Sequence, residues 1–153
     1  MVIEIYTDGS CSYLDKIGGY GVVTKIGKHI NSHCSPSYTG TTVNKMELKA
    51  IIHALENTDT GHTIIVNSDS EYCVKTMNIW INYWVVNGTL IEKANSSLWL
   101  RFLRIRQKHL KELSTLKFNW VKGHSGIKLN DLADELAGKA RLSKDKIKCD
   151  TDN

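Results

Sequence analysis

A change of hydrophobic period near residue 41 restricts the fold more than any other feature of the sequence. Before it, apolar residues come in short runs of strand character. Val2 to Asp8 alternates apolar and polar residues and stops at Gly9. Gly18-Gly19-Tyr20-Gly21-Val22-Val23 opens a second run, and Gly27-Lys28 makes a hairpin turn into a third at His29 to Cys34. After it, Met46, Leu48, Ile51, Ile52 and Leu55 recur at helical spacing behind Thr41-Thr42. A short buried-type strand at Thr63 to Asn67 follows, then a helix through Tyr72, Val74, Met77 and Ile81 that Ser68 or Ser70 can cap. Ser96-Ser97 open a longer amphipathic helix, Leu116 to Val121 alternates as a strand, and Asn130 or Asp131 starts a last helix through Leu132, Leu136 and Ala140. Hairpin-linked strands followed by strand–helix alternation predict an α/β fold with a mixed sheet, antiparallel at first and parallel through crossovers later.

With 153 residues and a single proline, Pro36, the chain has the material for one core and no linker. One domain is expected over residues 1–142, with a polar, flexible tail over 143–153. Met1-Val2-Ile3-Glu4-Ile5-Tyr6 carries an acid and no long apolar region, unlike a secretion signal, and no apolar run is long enough to span a bilayer. Cys11, Cys34, Cys73 and Cys149 are scattered without metal-ligand spacing, so reduced thiols and a cytoplasmic location are expected. The net charge of +4 is mildly basic, and Arg101, Arg104, Arg106, Lys108, Lys111, Lys139, Arg141, Lys144, Lys146 and Lys148 crowd the last third. Such a balance suits a polyanion partner but also suits plain solvated helix faces.

Acids stand where the expected strands end or where the expected helices face the sheet: Asp8, Glu47, Asp69 and Asp134. Singly, an Asp after a strand caps a turn or helix, and a Glu in an amphipathic helix is solvated. Gathered in a cleft, carboxylates repel, and each shifts toward the neutral acid unless a hard divalent cation compensates them. An all-oxygen donor set suits Mg²⁺ or Mn²⁺ rather than zinc.

The surroundings of these acids carry a resemblance. Tyr6-Thr7-Asp8-Gly9-Ser10-Cys11 with Gly18-Gly19-Tyr20-Gly21, Thr41-Thr42-Val43-Asn44-Lys45-Met46-Glu47-Leu48, Ser68-Asp69-Ser70-Glu71-Tyr72, Trp120-Val121-Lys122-Gly123-His124-Ser125-Gly126, and Asn130 with Asp134-Glu135-Leu136-Ala137 resemble, in order, the motifs of type 1 ribonucleases H. The match is collinear over roughly residues 2 to 140. It implies a ribonuclease H-like fold with a mixed five-stranded sheet, three antiparallel strands then two parallel ones, flanked by helices. It implies an endonuclease that cuts the RNA strand of RNA–DNA hybrids with two Mg²⁺ ions, or Mn²⁺ in their place, and leaves 5′-phosphate and 3′-hydroxyl ends. The implied catalytic residues are Asp8, Glu47, Asp69, His124 and Asp134, the four acids as metal ligands and His124 in proton handling or product departure.

The resemblance also implies substrate contacts. Tyr72, Trp80 and Trp84 match aromatics that pack on deoxyribose, the lesser alternative being a core-facing helical stripe. Cys11, Ser12, Asn44 and Glu71 match positions that read ribose 2′-hydroxyls, Thr42 one that grips a DNA phosphate, and Asn130 joins the substrate contacts. The sequence departs from the family pattern in the Ser12-Tyr13-Leu14-Asp15-Lys16-Ile17 loop, at Gly40 and Val43, and after Trp84. There a lysine-rich protrusion of bacterial relatives is shortened to a segment with one lysine, Lys93, against one glutamate, Glu92. Weak hybrid affinity with a shallow salt dependence is the expectation. Val85, Val86, Leu90 and Ile91 offer either internal packing or a surface for a protein partner; otherwise a monomer without membrane association is expected. A junction resolvase or integrase-like nuclease on the same fold is one rival, and a catalytically dead hybrid-binding module, which should have lost an acid, is another.

Overall fold

The computed structural model describes residues 1–148. The expected sheet is present at its centre. Strand β1 (Val2–Cys11) pairs antiparallel with β2 (Gly18–Ile26), and β2 turns at Gly27 into antiparallel β3 (His29–Cys34). On its other side β1 pairs parallel with β5 (Thr63–Ser68), which pairs parallel with β6 (Thr115–Trp120). Two short strands extend this frame: β4 (Ser37–Thr39) meets β2 at Gly18, and β7 (Lys146–Lys148) runs parallel to β4. Lys146–Lys148, within the segment expected as a tail, thus pairs with the sheet. The open edge of β4 presents unpaired peptide groups, and Ser37 N donates to Asp145 O at 3.0 Å as the strand arrives. Residues 149–153, Cys149 among them, lie outside the described residues.

Helix α1 (Val43–Glu56) starts where Thr42, extended at φ −133°, accepts Lys45 N on its hydroxyl at 3.2 Å. Helix α2 (Glu71–Lys75) is capped by Ser70 in the same way and runs through a π turn (Thr76–Trp80) into α3 (Ile81–Asn87), which Gly88 ends at φ +67°. Thr76 Oγ1 donates to the carbonyl of Tyr72 at 2.6 Å at this change of winding. A single 3₁₀ turn (Leu90–Glu92) leads to α4 (Ser96–Lys111). Helix α5 (Lys128–Arg141) begins ahead of Asn130 and Asp131, because extended Ile127 already accepts the first helical bond from Asp131 N at 2.9 Å. Asn130 is thus inside the first turn, 2% exposed, and not its cap.

Strand alternation sorts these elements onto two faces. Ile3 and Ile5 of β1, with Tyr20 and Val22 of β2, join Met46, Leu48, Ile51, Ile52, Leu55, Ile81, Trp99 and Phe102 in the main core. The intervening residues of β2, Gly19 and Gly21, lie under α5, where an added Cβ would come within 2.5 Å of Ala140 Cβ and 2.6 Å of Ala133 O. Ala133, Ala137 and Ala140 are fully buried there, so small residues on both sides bring α5 onto the strands. No described helix is long and apolar enough to cross a membrane.

Gly9 has the tightest approach on the opposite face: a Cβ there would sit 2.5 Å from Glu47 N and 2.7 Å from Met46 C. Those are backbone atoms and cannot rotate away. Gly9→Ala is expected to push α1 off β1 and to destabilise the protein by about 1–3 kcal/mol, read as a lower denaturation midpoint in urea at unchanged slope. An unchanged midpoint would show that the helix yields without cost.

Candidate active site

Four elements converge at the carboxyl end of β1. Asp8 alternates to the α5 side of β1, and Glu47 comes from the first turns of α1, directly over Gly9. Asp69 follows β5, whose parallel register sets Thr7 beside Ser68. Asp134 stands on α5, one residue beyond the alanine that covers Gly21. Carboxylate oxygens of Asp8, Glu47 and Asp69 lie within 4.8 Å of one another. Asp134 is exposed at the rim, and its carboxyl hydrogen-bonds that of Asp8. The three tightly grouped acids and the one rim acid are the four that the sequence analysis singled out.

Burial dominates the electrostatics. Asp8 is 4% exposed and Glu47 6%. Loss of hydration raises the Asp8 carboxyl far above the usual range, and the neighbouring Glu47 charge raises it further. Burial also raises Glu47, reinforced by Asp69 and Asp134 and opposed by the hydrogen bond to Asp8. Half-buried Asp69 is raised by burial and by Asp134, and lowered by its bond to Asp8 and by the His124 imidazole. Gly9 N donates to Asp8 Oδ1 at 2.9 Å, but Glu47 Oε2 is buried with no hydrogen-bond partner. An orphaned carboxylate oxygen inside a cluster of acids fits a cation-ligating role, and the all-oxygen donor set fits a hard divalent ion.

His124 lies on the loop between β6 and α5. It is exposed, in the left-handed region at φ +56°, and close enough for its charge to reach Asp69. Trp120 belongs to the motif that carries His124, and the motif alone does not reveal its contact with Asp69. Its indole Nε1 donates to the Asp69 carbonyl at 3.1 Å, and Val121 N donates to Ser68 O at 2.9 Å. Gly123 completes the bracket, since a Cβ there would meet Asp69 Oδ2 at 2.9 Å. The signal for Trp120 lies in the β5–β6 register, which pairs it with Ser68, and register cannot be read from one sequence.

The residues singled out for substrate contact divide by environment. Cys11 and Ser12, half-buried, line a cavity of about 570 Å³ with Lys16, Thr41 and Thr42, while Asn44 is exposed on the first turn of α1. Glu71 is exposed and 3.8 Å from Lys75. Trp80 is 49% exposed. Tyr72 and Trp84 are half-buried, each edge-on to Trp99, and the Tyr72 hydroxyl accepts from Asn95 Nδ2 at 3.1 Å and Trp99 Nε1 at 2.9 Å. The core-stripe reading thus holds in part for those two. Asn130 keeps a buried Oδ1 without a partner. After Trp84, Leu90 turns inward at 8% exposure while Val86 and Ile91 stay 83% and 78% exposed.

The RNase H family model matches residues 1–141. The chain is 39% identical over 139 residues to the ribonuclease H of Actinobacillus succinogenes, covering 88% of this chain and 86% of the relative. It is 38% identical over 147 residues to that of Pseudoalteromonas translucida, covering 94% and 92%. Among solved structures it is similar to LC9-RNase H1, described as a type 1 RNase H with the type 2 active-site motif. That match has a TM-score of 0.76 at 25% identity, over 92% of this chain and 72% of the other. The N-terminal RNase H domain of Rv2228c from Mycobacterium tuberculosis shares the fold, with a TM-score of 0.69 at 19% identity over 92% and 99%.

Acids whose folded values are raised stabilise the fold only at low pH, and that stability drains away as pH climbs from about 4 through the raised values. Without a divalent ion the protein should therefore weaken as pH rises to neutrality. Asp8→Asn should raise its Tm at pH 7.5 by roughly 3–8 °C, the equivalent of about 1–2 kcal/mol. Calorimetry in chelator between pH 5 and 8 checks this, and a Tm lowered by the substitution would contradict the assigned repulsion.

Proposed function

Because the chain belongs to the ribonuclease H family, matched over residues 1–141, we propose that it is an endonuclease hydrolysing the RNA strand of RNA–DNA hybrids with two Mg²⁺ ions, leaving 5′-phosphate and 3′-hydroxyl ends. The observation that carries the reading is the mutual approach of Asp8, Glu47 and Asp69 within 4.8 Å, with Asp134 bonded at the rim. Bound there, paired divalent cations supply the charge that favours both an attacking water and a departing 3′ oxygen. Mn²⁺ has the same preference for oxygen and can substitute.

The chain's own groups do the rest. Asp8, Glu47, Asp69 and Asp134 would hold the cations. Trp120 ties the Asp69 backbone, so that this ligand keeps its direction while its carboxylate stays half open. His124 stands on the rim with an imidazole free to take or give a proton at a ring nitrogen as product leaves. The Trp80 face is open to a deoxyribose beside Tyr83, and the half-buried Tyr72 and Trp84, each edge-on to Trp99, present their remaining faces to the same strand. Thr42 spends its oxygen on capping α1 but keeps its hydroxyl proton for a DNA phosphate. Cys11, Ser12, Asn44, Glu71 and Asn130 border the side on which ribose 2′-hydroxyls are read.

Labelled hybrid, duplex RNA, duplex DNA and a four-way junction, each with Mg²⁺ and with chelator, test the proposal. Only the hybrid should be cut, only on its RNA strand, and only with metal. Preferential cutting of the junction would give the reading to the resolvase rival. Asp69→Asn should lower cleavage by at least about a thousandfold, as loss of a charged transition-state group does, with an unchanged circular dichroism spectrum. Retained activity would remove Asp69 from the metal site.

The segment after Trp84 supports a weak electrostatic grip. Its lysine, Lys93, already sits 5.3 Å from the centre of the Trp84 ring. Hybrid binding by Asp69→Asn protein is expected to lose affinity with salt less steeply than a relative bearing the lysine-rich protrusion, by about 0.9 in log–log slope for each phosphate contact missing. Equal slopes in a titration from 50 to about 200 mM salt would refute this.

A further inference from the structure

Helix α5 bears a second functional-looking side chain on the stripe that bears Asp134. Residues seven apart on a helix differ by only about 20° around its axis, so Arg141 follows Asp134 on one face, roughly 10 Å farther on. Between them on that face lies Gly138, where an added Cβ would meet nothing within 4 Å. The stripe therefore reads acid, bare backbone, guanidinium.

The strand beneath runs the same way. Asp8 pairs with Gly21 and Ser10 with Gly19, and those glycines lie under Ala133 and Ala140. Ser10 follows Asp8 on the same side of β1, and its hydroxyl oxygen accepts Arg141 Nε at 3.0 Å. Ser37 Oγ donates to the Arg141 carbonyl at 2.9 Å and fixes the end of the helix. The half-buried guanidinium is thus aimed from two sides and tethered to the strand that carries the first acid of the site.

A guanidinium has five N–H donors, and Ser10 occupies the one on Nε. Among the described residues Arg141 forms no ion pair. Asp15 is the acid that feels its charge, and that carboxyl is fully exposed and bonded first to the Ser12 hydroxyl and the backbone at Ile17. The terminal nitrogens remain for an anion of planar, bidentate geometry.

We propose that Arg141 binds a backbone phosphate of the RNA strand next to the one presented to the carboxylates, with Gly138 as the floor of the track between them. This rests on the hybrid-cleavage reading above, which brings the RNA strand to Asp8 and Asp134. The strand must then leave the acids along some path, and this one is open over Gly138 and ends in a tethered cation.

The test measures binding of a fluorescent RNA–DNA hybrid to Asp69→Asn protein over a range of salt, after unaltered protein has been shown to cut the same hybrid. Arg141→Ala should weaken binding roughly tenfold and flatten the log–log salt slope by about 0.7–0.9. Arg141→Lys should restore the slope and only part of the affinity. Lys139→Ala, which removes a charge paired with Glu135 on another face of α5, should leave both unchanged. Gly138→Gln should weaken binding without lowering Tm, since its side chain enters open space in a helix it favours.

Failure of unaltered protein to cut the hybrid would overturn the functional reading and this inference with it. Cutting together with an Arg141→Ala slope equal to the parent's, or equal flattening by Lys139→Ala, would overturn the inference alone. Should Arg141→Ala unfold, the lysine and Gly138→Gln variants decide: no loss of affinity in either refutes the phosphate contact.

Discussion

Carboxyl groups held together against their own repulsion are the constraint around which this molecule is arranged. Asp8, Glu47 and Asp69 would separate if their backbones could move, and the fold prevents it with contacts between main-chain atoms. Gly9 lets α1 come down so closely that only hydrogen fits between the strand and Glu47 N. Gly21 lets α5 do the same from the other face, next to Asp134. Side-chain packing could relax by rotation under this load, whereas backbone against backbone cannot. The cost is borne by the rest of the core, and an ion with compensating charge would return it.

The opposite end of the core shows what anchors the frame. His109 is fully buried at the end of α4, with Nε2 at 2.8 Å from the carbonyl of Leu55 and Nδ1 at 2.9 Å from Ser114 Oγ. The carbonyl can only accept, so Nε2 carries a proton, and the Ser114 oxygen beside Nδ1 in turn accepts Gly61 N at 2.9 Å. One ring thereby fastens the last turns of α1 and α4 to the approach of β5. Around the middle, Tyr72, Asn95 and Trp99 share hydrogen bonds and edge-on ring contacts, which hold the aromatic helices against α4. The strained site and this satisfied polar scaffold are coupled through α1, which carries Glu47 near one end and Leu55 near the other.

Much of this was legible in the residues. The central strands, α1 with its threonine cap and the long α4 follow from hydrophobic period and capping chemistry, and the acids follow from their place at element ends. Strands β4 and β7 were not legible, because three residues carry no measurable period and Lys-Ile-Lys pairs only when β4 presents an edge to it. The π turn after α2 was hidden for a related reason: the local pattern is helical, and winding changes only where tertiary packing demands it. Tyr72 and Trp84 illustrate a different limit. A helical stripe of aromatics is the same sequence whether it faces a ligand or Trp99, and here both rings lean on Trp99 while staying half-buried.

Charge shows how little a formal sum says about recognition. The excess of +4 and the basic last third suggest a broad positive field, yet several of these cations are already engaged. Arg101 is bidentate to Glu56, with contacts of 3.0 and 2.6 Å, and Lys139 stands 3.4 Å from Glu135. Exposed pairs such as the second are worth under about 1 kcal/mol, so they dilute the field without locking the side chains. What remains is a small number of placed donors beside a strongly acidic hole. For a polyanion such a surface is selective by geometry: phosphates are repelled where the acids are bare and held only where a donor and a cation coincide. Affinity from diffuse charge would fall on duplex DNA, duplex RNA and hybrid alike, whereas placed donors and open aromatic faces respond to the shape and sugar of each strand.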